Sequence, residues 1–152
     1  MSLIEDLEAQ LRSITFTSFS HDDAWALGVI LHDLAVSRGL GIAIDVTKGD
    51  QQVFHAALPG TTPDNDDWIA RKVRTVRRFG EPSYLIGRRF AEAGTDFNEK
   101  TGLPFTQYVA HGGCIPIIVA GVGPVGTVTV SGLPQADDHA LAVEAIEILL
   151  AR

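Results

Sequence analysis

The chain has 152 residues, 45% of them hydrophobic and 20% charged, a mixture that buries a core and excludes wholesale disorder. Acidic residues outnumber basic ones, 19 to 12, for a formal net charge of -7, which argues against a nucleic-acid partner because phosphate binding needs a positive field. The one cysteine, Cys114, excludes an internal disulfide and a cysteine-only zinc site, and no apolar run approaches the ~20 residues of a membrane span. Residues 1–8 are acidic and amphipathic, without the basic and apolar regions of a secretory signal. One cytoplasmic domain over residues 1–152, with no membrane partner, is therefore expected.

Leu3, Leu7 and Leu11 recur at helical spacing and predict a short first helix. Ile14-Thr15-Phe16-Thr17 then reads as extended chain. Ser20 with Asp23 resembles a capping box in which aspartate replaces the usual glutamate. It opens a helix over 21–37 that stops near Gly39 or Gly41. This helix has two apolar stripes: Leu27, Leu31 and Leu34 on one side, and Trp25, Val29, His32 and Val36 on the other. A helix apolar on two sides is covered on two sides, and in so short a chain the second cover is another subunit or a ligand.

Residues 41–47 alternate like a strand, Lys48-Gly49-Asp50 turns, and 52–57 return, so the pair reads as a hairpin. Pro63 followed by Asp64, Asp66 and Asp67 marks the start of another helix, where acidic side chains meet its positive end. Ile69, Val73 and Val76 lie on one face of it, and Arg71, Arg74 and Arg78 on the opposite face. Pro82-Ser83 opens a further helix through Ala91. Residues 92–107 show no period and contain Gly94, Gly102 and Pro104, so they read as a long loop. Residues 108–110 read as a short strand, 114–120 as an apolar strand, and 125–130 as its return after the Gly121-Val122-Gly123-Pro124 turn. A last helix, capped by Asp137 or Asp138, runs to Ala151 and is apolar around most of its circumference. Hairpins make antiparallel sheets, so this order predicts an α+β fold around one central antiparallel sheet.

Several motifs carry two readings. Gly121-Val122-Gly123-Pro124-Val125-Gly126 matches G-x-G-x-x-G, but strand formers follow it where a dinucleotide site needs a helix, so it reads as a hairpin turn. Seven of the basic residues fall between Arg71 and Arg89. They read as a solvated helix face or as an anion site, since arginine forks suit carboxylate and phosphate. Lys72 differs, because it flanks the apolar stripe near Trp68 and can reach a pocket wall. His32 lies on an apolar stripe, either as a packed histidine or as an axial ligand to an iron or cobalt tetrapyrrole. His55 lies on a strand, on either face. In His111-Gly112-Gly113-Cys114 the glycines permit a close backbone approach. Cys114 there reads as a buried structural thiol, with a nucleophile activated by His111 as the alternative. Ser131-Gly132-Leu133 before Asp137-Asp138-His139 is a turn and cap, or a set of free N–H groups for an anion.

Gly112-Gly113-Cys114-Ile115-Pro116-Ile117, then Gly126-Thr127-Val128-Thr129-Val130-Ser131-Gly132-Leu133, then Asp138-His139, resemble the C-terminal signature of the GlcG/HbpS/PduO C-terminal domain family, the haem-degrading domain. Ile44-Asp45, Gly49-Asp50 and Trp68-Ile69-Ala70-Arg71-Lys72 fit as well, although the family's usual Asp-x-x-Gly turn is altered after Asp45. His111, Trp68 and the Asp138-His139 pair look most like its short stand-alone branch. The resemblance runs from about Ser20 onward. It implies a profilin-like, five-stranded antiparallel sheet flanked by helices, in a homo-oligomer: a dimer, or a larger ring built from dimers. It implies a small-molecule ligand, haem or a corrinoid, with His32 as the matching axial histidine. The candidate ligand-binding set is His32, His55, Trp68, Arg71, Lys72, His111, Gly112, Gly113, Ser131, Gly132 and His139. Three readings stay open: a tetrapyrrole-binding oligomer, an enzyme acting on haem or a small carboxylate, and a scaffold without a tetrapyrrole ligand.

Overall fold

A computed structural model describes residues 2–152. The helices are α1 (Leu3–Ser13), α2 (His21–Arg38), α3 (Pro63–Phe79), α4 (Ser83–Glu92), α5 (Phe97–Thr101) and α6 (Gln135–Leu150). The strands are β1 (Ala43–Lys48), β2 (Gln51–Ala57), β3 (Cys114–Val119) and β4 (Gly123–Ser131). They form one antiparallel sheet in the order β2-β1-β4-β3. The sheet thus has four strands rather than the five expected. The extended piece after α1 contributes a single parallel bridge, Phe16 to Val119.

Side chains alternate between the faces of a strand, and the register sorts them into rows across the sheet. One row runs Cys114, Thr129, Asp45, His55, and the next Pro116, Thr127, Thr47, Gln52. Between them lie Ile115, Val128, Val46 and Phe54. The aliphatic rows pack with Leu27, Leu31 and Ala35 of α2 and with Leu141, Ala142 and Ile146 of α6 in the main core. The other face meets α3, where Ala43 and Cys114 pack with Ile69, Val73 and Val76.

Local chemistry explains the helix boundaries. Ser20 Oγ accepts from Asp23 N at 3.1 Å, and Asp23 Oδ2 accepts from Ser20 N at 2.8 Å, the expected box. The 92–107 stretch is not all loop: Asp96 accepts from Glu99 N and starts α5, which Gly102 closes. Residues 108–110 form no strand; the Asn98 side-chain amide donates to the Tyr108 carbonyl at 2.8 Å. Helix α6 starts at Gln135 behind Pro134, so Asp138 lies inside its first turn instead of capping it. The second stripe of α2 is open to solvent at Trp25, 56% exposed, and Val36, 60% exposed, while Val29 packs partly buried against the core. Among the described residues no helix is long and apolar enough to cross a membrane.

Candidate functional site

Trp68, Arg71 and Lys72 follow the N-terminal turn of α3, and Trp68 and Lys72 share a pocket with the end of β4 and the start of α6. Lys72 is buried, and its Nζ donates to the Val130 carbonyl at 3.1 Å and to Asp138 Oδ2 at 3.3 Å. Asp138 also accepts from Leu133 N at 2.9 Å and Gly132 N at 3.4 Å. Of the two readings of this turn, free amides for an outside anion are not found, because Asp138 takes the Gly132 and Leu133 amides from within. Burial lowers the Lys72 pKa, against the opposing pull of Asp138, and burial raises that of Asp138.

The two glycines are required here. Gly113 has φ +135°, a region open mainly to glycine, and a Cβ on it would strike the Val130 carbonyl and lie 2.8 Å from Lys72 Nζ. A Cβ on Gly112 would strike the Gln135 carbonyl. Gly112 N also donates to Gln135 Oε1 at 3.0 Å, tying this loop to α6.

Above Lys72 opens a pocket of about 270 Å³ lined by Trp68, Lys72, His111, Ser131 and Gly132 together with Asp64, Asn65, Gln135 and Asp138. The His111 ring lies 5.1 Å from the Trp68 ring. Partial desolvation, then the charges of Lys72 and Arg71, lower the His111 pKa, which favours the neutral imidazole. A second pocket of about 410 Å³ shares His111 and Gln135 with the first, and Phe90, Phe97, Phe105, Ala110 and Arg88 line it. Arg88 Nε is buried without a hydrogen-bond partner among the described residues.

Arg71 does not belong to a solvated face as expected. It is 7% exposed, with its guanidinium 4.0 Å from the Trp68 ring centre and 5.2 Å from that of Phe105. Its Nη1 donates to the Phe105 carbonyl at 3.3 Å, which holds the 103–107 segment against α3. Arg74 and Arg78 are exposed, as the helical pattern predicts.

Five of the expected residues, Trp68, Lys72, His111, Ser131 and Gly132, thus line one pocket, and Arg71, Gly112 and Gly113 support it. Three do not join it. His55 lies in a separate cleft of about 280 Å³, with Nδ1 3.5 Å from Asp45 and Nε2 3.2 Å from Asp66. His139 is 4% exposed beneath Tyr84, its Nε2 2.7 Å from Gln10 Oε1, and burial pushes its pKa down to about 4. His32 is half-exposed on α2, 3.7 Å from Asp33, on the sheet face away from α3. Burial also pushes the Cys114 thiol up to about 12, against the nucleophile alternative. Among the described residues no group of three or more His, Cys, Asp or Glu side chains is placed to hold a metal ion.

The model of the family described as "Haem degrading protein HbpS-like" matches residues 19–147. The chain belongs to this HbpS-like family. A UPF0303 protein of Streptomyces avermitilis is 56% identical over 149 residues, covering 98% of this chain and 91% of the relative. One from Burkholderia orbicola is 47% identical over 149 residues, covering 96% and 90%. Among solved structures, the Ybr137w protein has a TM-score of 0.91 at 28% identity, covering 99% of this chain and 90% of that one. HbpS has a TM-score of 0.68 at 20% identity, covering 90% and 92%, and a PduOC–haem complex 0.70 at 16%, covering 86% and 94%. The last two establish likeness of fold.

In this HbpS-like chain, Asn65, Arg88, Gln135 and the Lys72–Asp138 pair are site features that residue spacing did not reveal. Asp138 had a signal, an acidic residue just after a glycine turn, which reads equally well as a helix cap. Arg88 had only its place in the basic run. What the arrangement can do is bind: it offers an imidazole, an aromatic wall, a buried amine and a guanidinium whose Nε has no partner among the described residues, around two pockets that share His111 and Gln135.

Proposed function

We propose that this HbpS-like chain binds a tetrapyrrole of the haem or corrinoid class in the groove beside His111, in the cytoplasm and as a homo-oligomer. The observation that carries this reading is His111 itself, an imidazole whose neutral form is favoured, at the junction of two pockets, and neutral imidazole is a common ligand of haem iron. The second pocket fits the rest of the group. Phe90, Phe97, Phe105 and Ala110 supply an apolar wall, and the unpaired Arg88 Nε belongs to a guanidinium suited to a propionate carboxylate. Bound there, the group would supply metal-centred redox or ligand-exchange chemistry. The chain's own part is to hold the macrocycle edge, keep one nitrogen deprotonated and exclude water with the aromatic wall.

Adding haemin to the metal-free protein tests this. A saturable Soret band that is lost in His111→Ala and kept in His32→Ala is expected. The reverse pattern would move the ligand to α2, and no saturable band in the wild type would sink the reading.

The scaffold reading draws on a different observation, the exposed Trp25 and Val36 of α2. Soluble monomers usually avoid such apolar patches, and symmetric self-association is the common way to cover them. A dimer, or a ring built from dimers, is expected by light scattering. A mass near one 16.3 kDa chain would remove this part.

A further inference from the structure

We propose that Lys72 is a carbonyl-capturing amine: the pocket between α3 and the start of α6 takes a small hydroxylated aldehyde or ketone, and Lys72 Nζ condenses with it to an imine. This goes beyond tetrapyrrole binding and uses the other pocket. The placement of Nζ is the first argument. Lys72 lines the pocket, two donor directions of its Nζ are held by the Val130 carbonyl and by Asp138, and an ammonium has a third. Gly113 is the second argument. A Cβ there would strike the Val130 carbonyl and sit 2.8 Å from Nζ, so glycine is what lets the amine keep its place between Val130 and Asp138. The third is the lining: Asp64, Asn65, Ser131 and Gln135 are hydrogen-bonding partners for hydroxyl groups. The volume of about 270 Å³ falls just below the ~300–1,000 Å³ of drug-sized sites, so the guest is small.

The chemistry balances without an oxidant or a reductant. Lys72 as the ammonium passes one proton to Asp138 Oδ2, 3.3 Å away. The freed lone pair forms a C–N bond to the carbonyl carbon while the C–O π bond opens onto oxygen. That oxygen receives the proton held by Asp138 and a second one from nitrogen, and it leaves as water. The remaining protonated C=N group faces the Asp138 carboxylate, which balances its charge. Burial favours the neutral amine needed at the start, as it does in imine-forming lysines generally.

The chain holds three lysines, Lys48, Lys72 and Lys100, and only Lys72 is buried, so exposure alone would label the other two first. The full chain is incubated with dihydroxyacetone and cyanoborohydride at neutral pH, and the reduced adduct is mapped by peptide mass spectrometry. At least about tenfold faster labelling of Lys72 than of Lys48 or Lys100 is expected, with that preference lost in urea. Lys72→Arg keeps a cation for Asp138 and should abolish the adduct at this site. Equal or faster labelling of Lys48 and Lys100 in the folded wild type overturns the proposal, and so does an unlabelled Lys72. Neither outcome depends on haemin, so this proposal and the tetrapyrrole reading fail separately.

Discussion

The two faces of the sheet are both covered by helices, yet they are chemically unlike. Toward α2 and α6 the strands present Ile44, Val46, Ile115, Ile117, Val128 and Val130, all fully buried. Toward α3 they present Asp45, Thr47, Thr127, Thr129 and Ser131, also buried. An aliphatic face is explained by the removal of apolar surface from water. A buried polar face costs free energy unless each group finds a partner, so its retention points to use. The pocket over Lys72 and the His55 cleft both open on the polar side.

Truncation should separate the faces most sharply. Ile44→Ala removes a fully buried side chain from the main core and should cost about 2–5 kcal/mol, read as a fall in the urea midpoint. A loss below about 1 kcal/mol would mean that the α2–α6 side does not carry the stability assigned to it.

Acid should act next, through His139. Its folded pKa is about 4 against a reference value of 6.5, so the unfolded chain binds the proton more readily. The stability this provides is fully present above the reference value and declines as pH falls toward 4, by up to roughly 3 kcal/mol. His111, also shifted downward, acts in the same sense, whereas Asp45 and Asp138, shifted upward by burial, act in the opposite one. The useful measurement is therefore the difference between the wild type and His139→Leu. The wild type should lose more stability than the variant between pH 6.5 and 4, and parallel pH profiles would show that folding does not lower the His139 pKa.

Thr129→Val should have the smallest effect. The hydroxyl is buried with no hydrogen bond among the described residues, and the Cys114 thiol beside it is a weak partner. Valine removes that unmet group, so a change between zero and about 1 kcal/mol of added stability is expected. A marked loss would mean that the hydroxyl has a partner after all.

The apolar side was legible in the sequence because it rests on periodicity. Leu27 and Leu31 at helical spacing, and the alternating 41–47 and 125–130 stretches, report burial directly. The polar side was legible only as residue types. Trp68, Lys72, His111, Ser131 and Gly132 were singled out, but nothing in their spacing says that the end of β4 lies beside α3. Arg71 was misplaced because a helical wheel does not show the 103–107 segment folding over it. The brief helix α5 was missed for a related reason: five residues are too few to show a period, and only its caps announce it.

The Phe16 bridge also bears on the order of synthesis. Phe16 N donates to the Ile118 carbonyl at 2.8 Å, and Ala120 N donates to the Phe16 carbonyl at 2.8 Å. An early segment of the chain is thus fastened to a strand made much later. Likewise β1 has its full partner only once β4 exists. On a ribosome the first hairpin emerges with only α2 to cover Ile44 and Val46, and α1 has no place to dock until α4 is made. Closure is therefore a late event, joining ends that are far apart in sequence, and such long-range pairing is slow. Until it happens, the nascent chain leaves open the part of its aliphatic side that α6 covers, which is the interval in which chaperones matter.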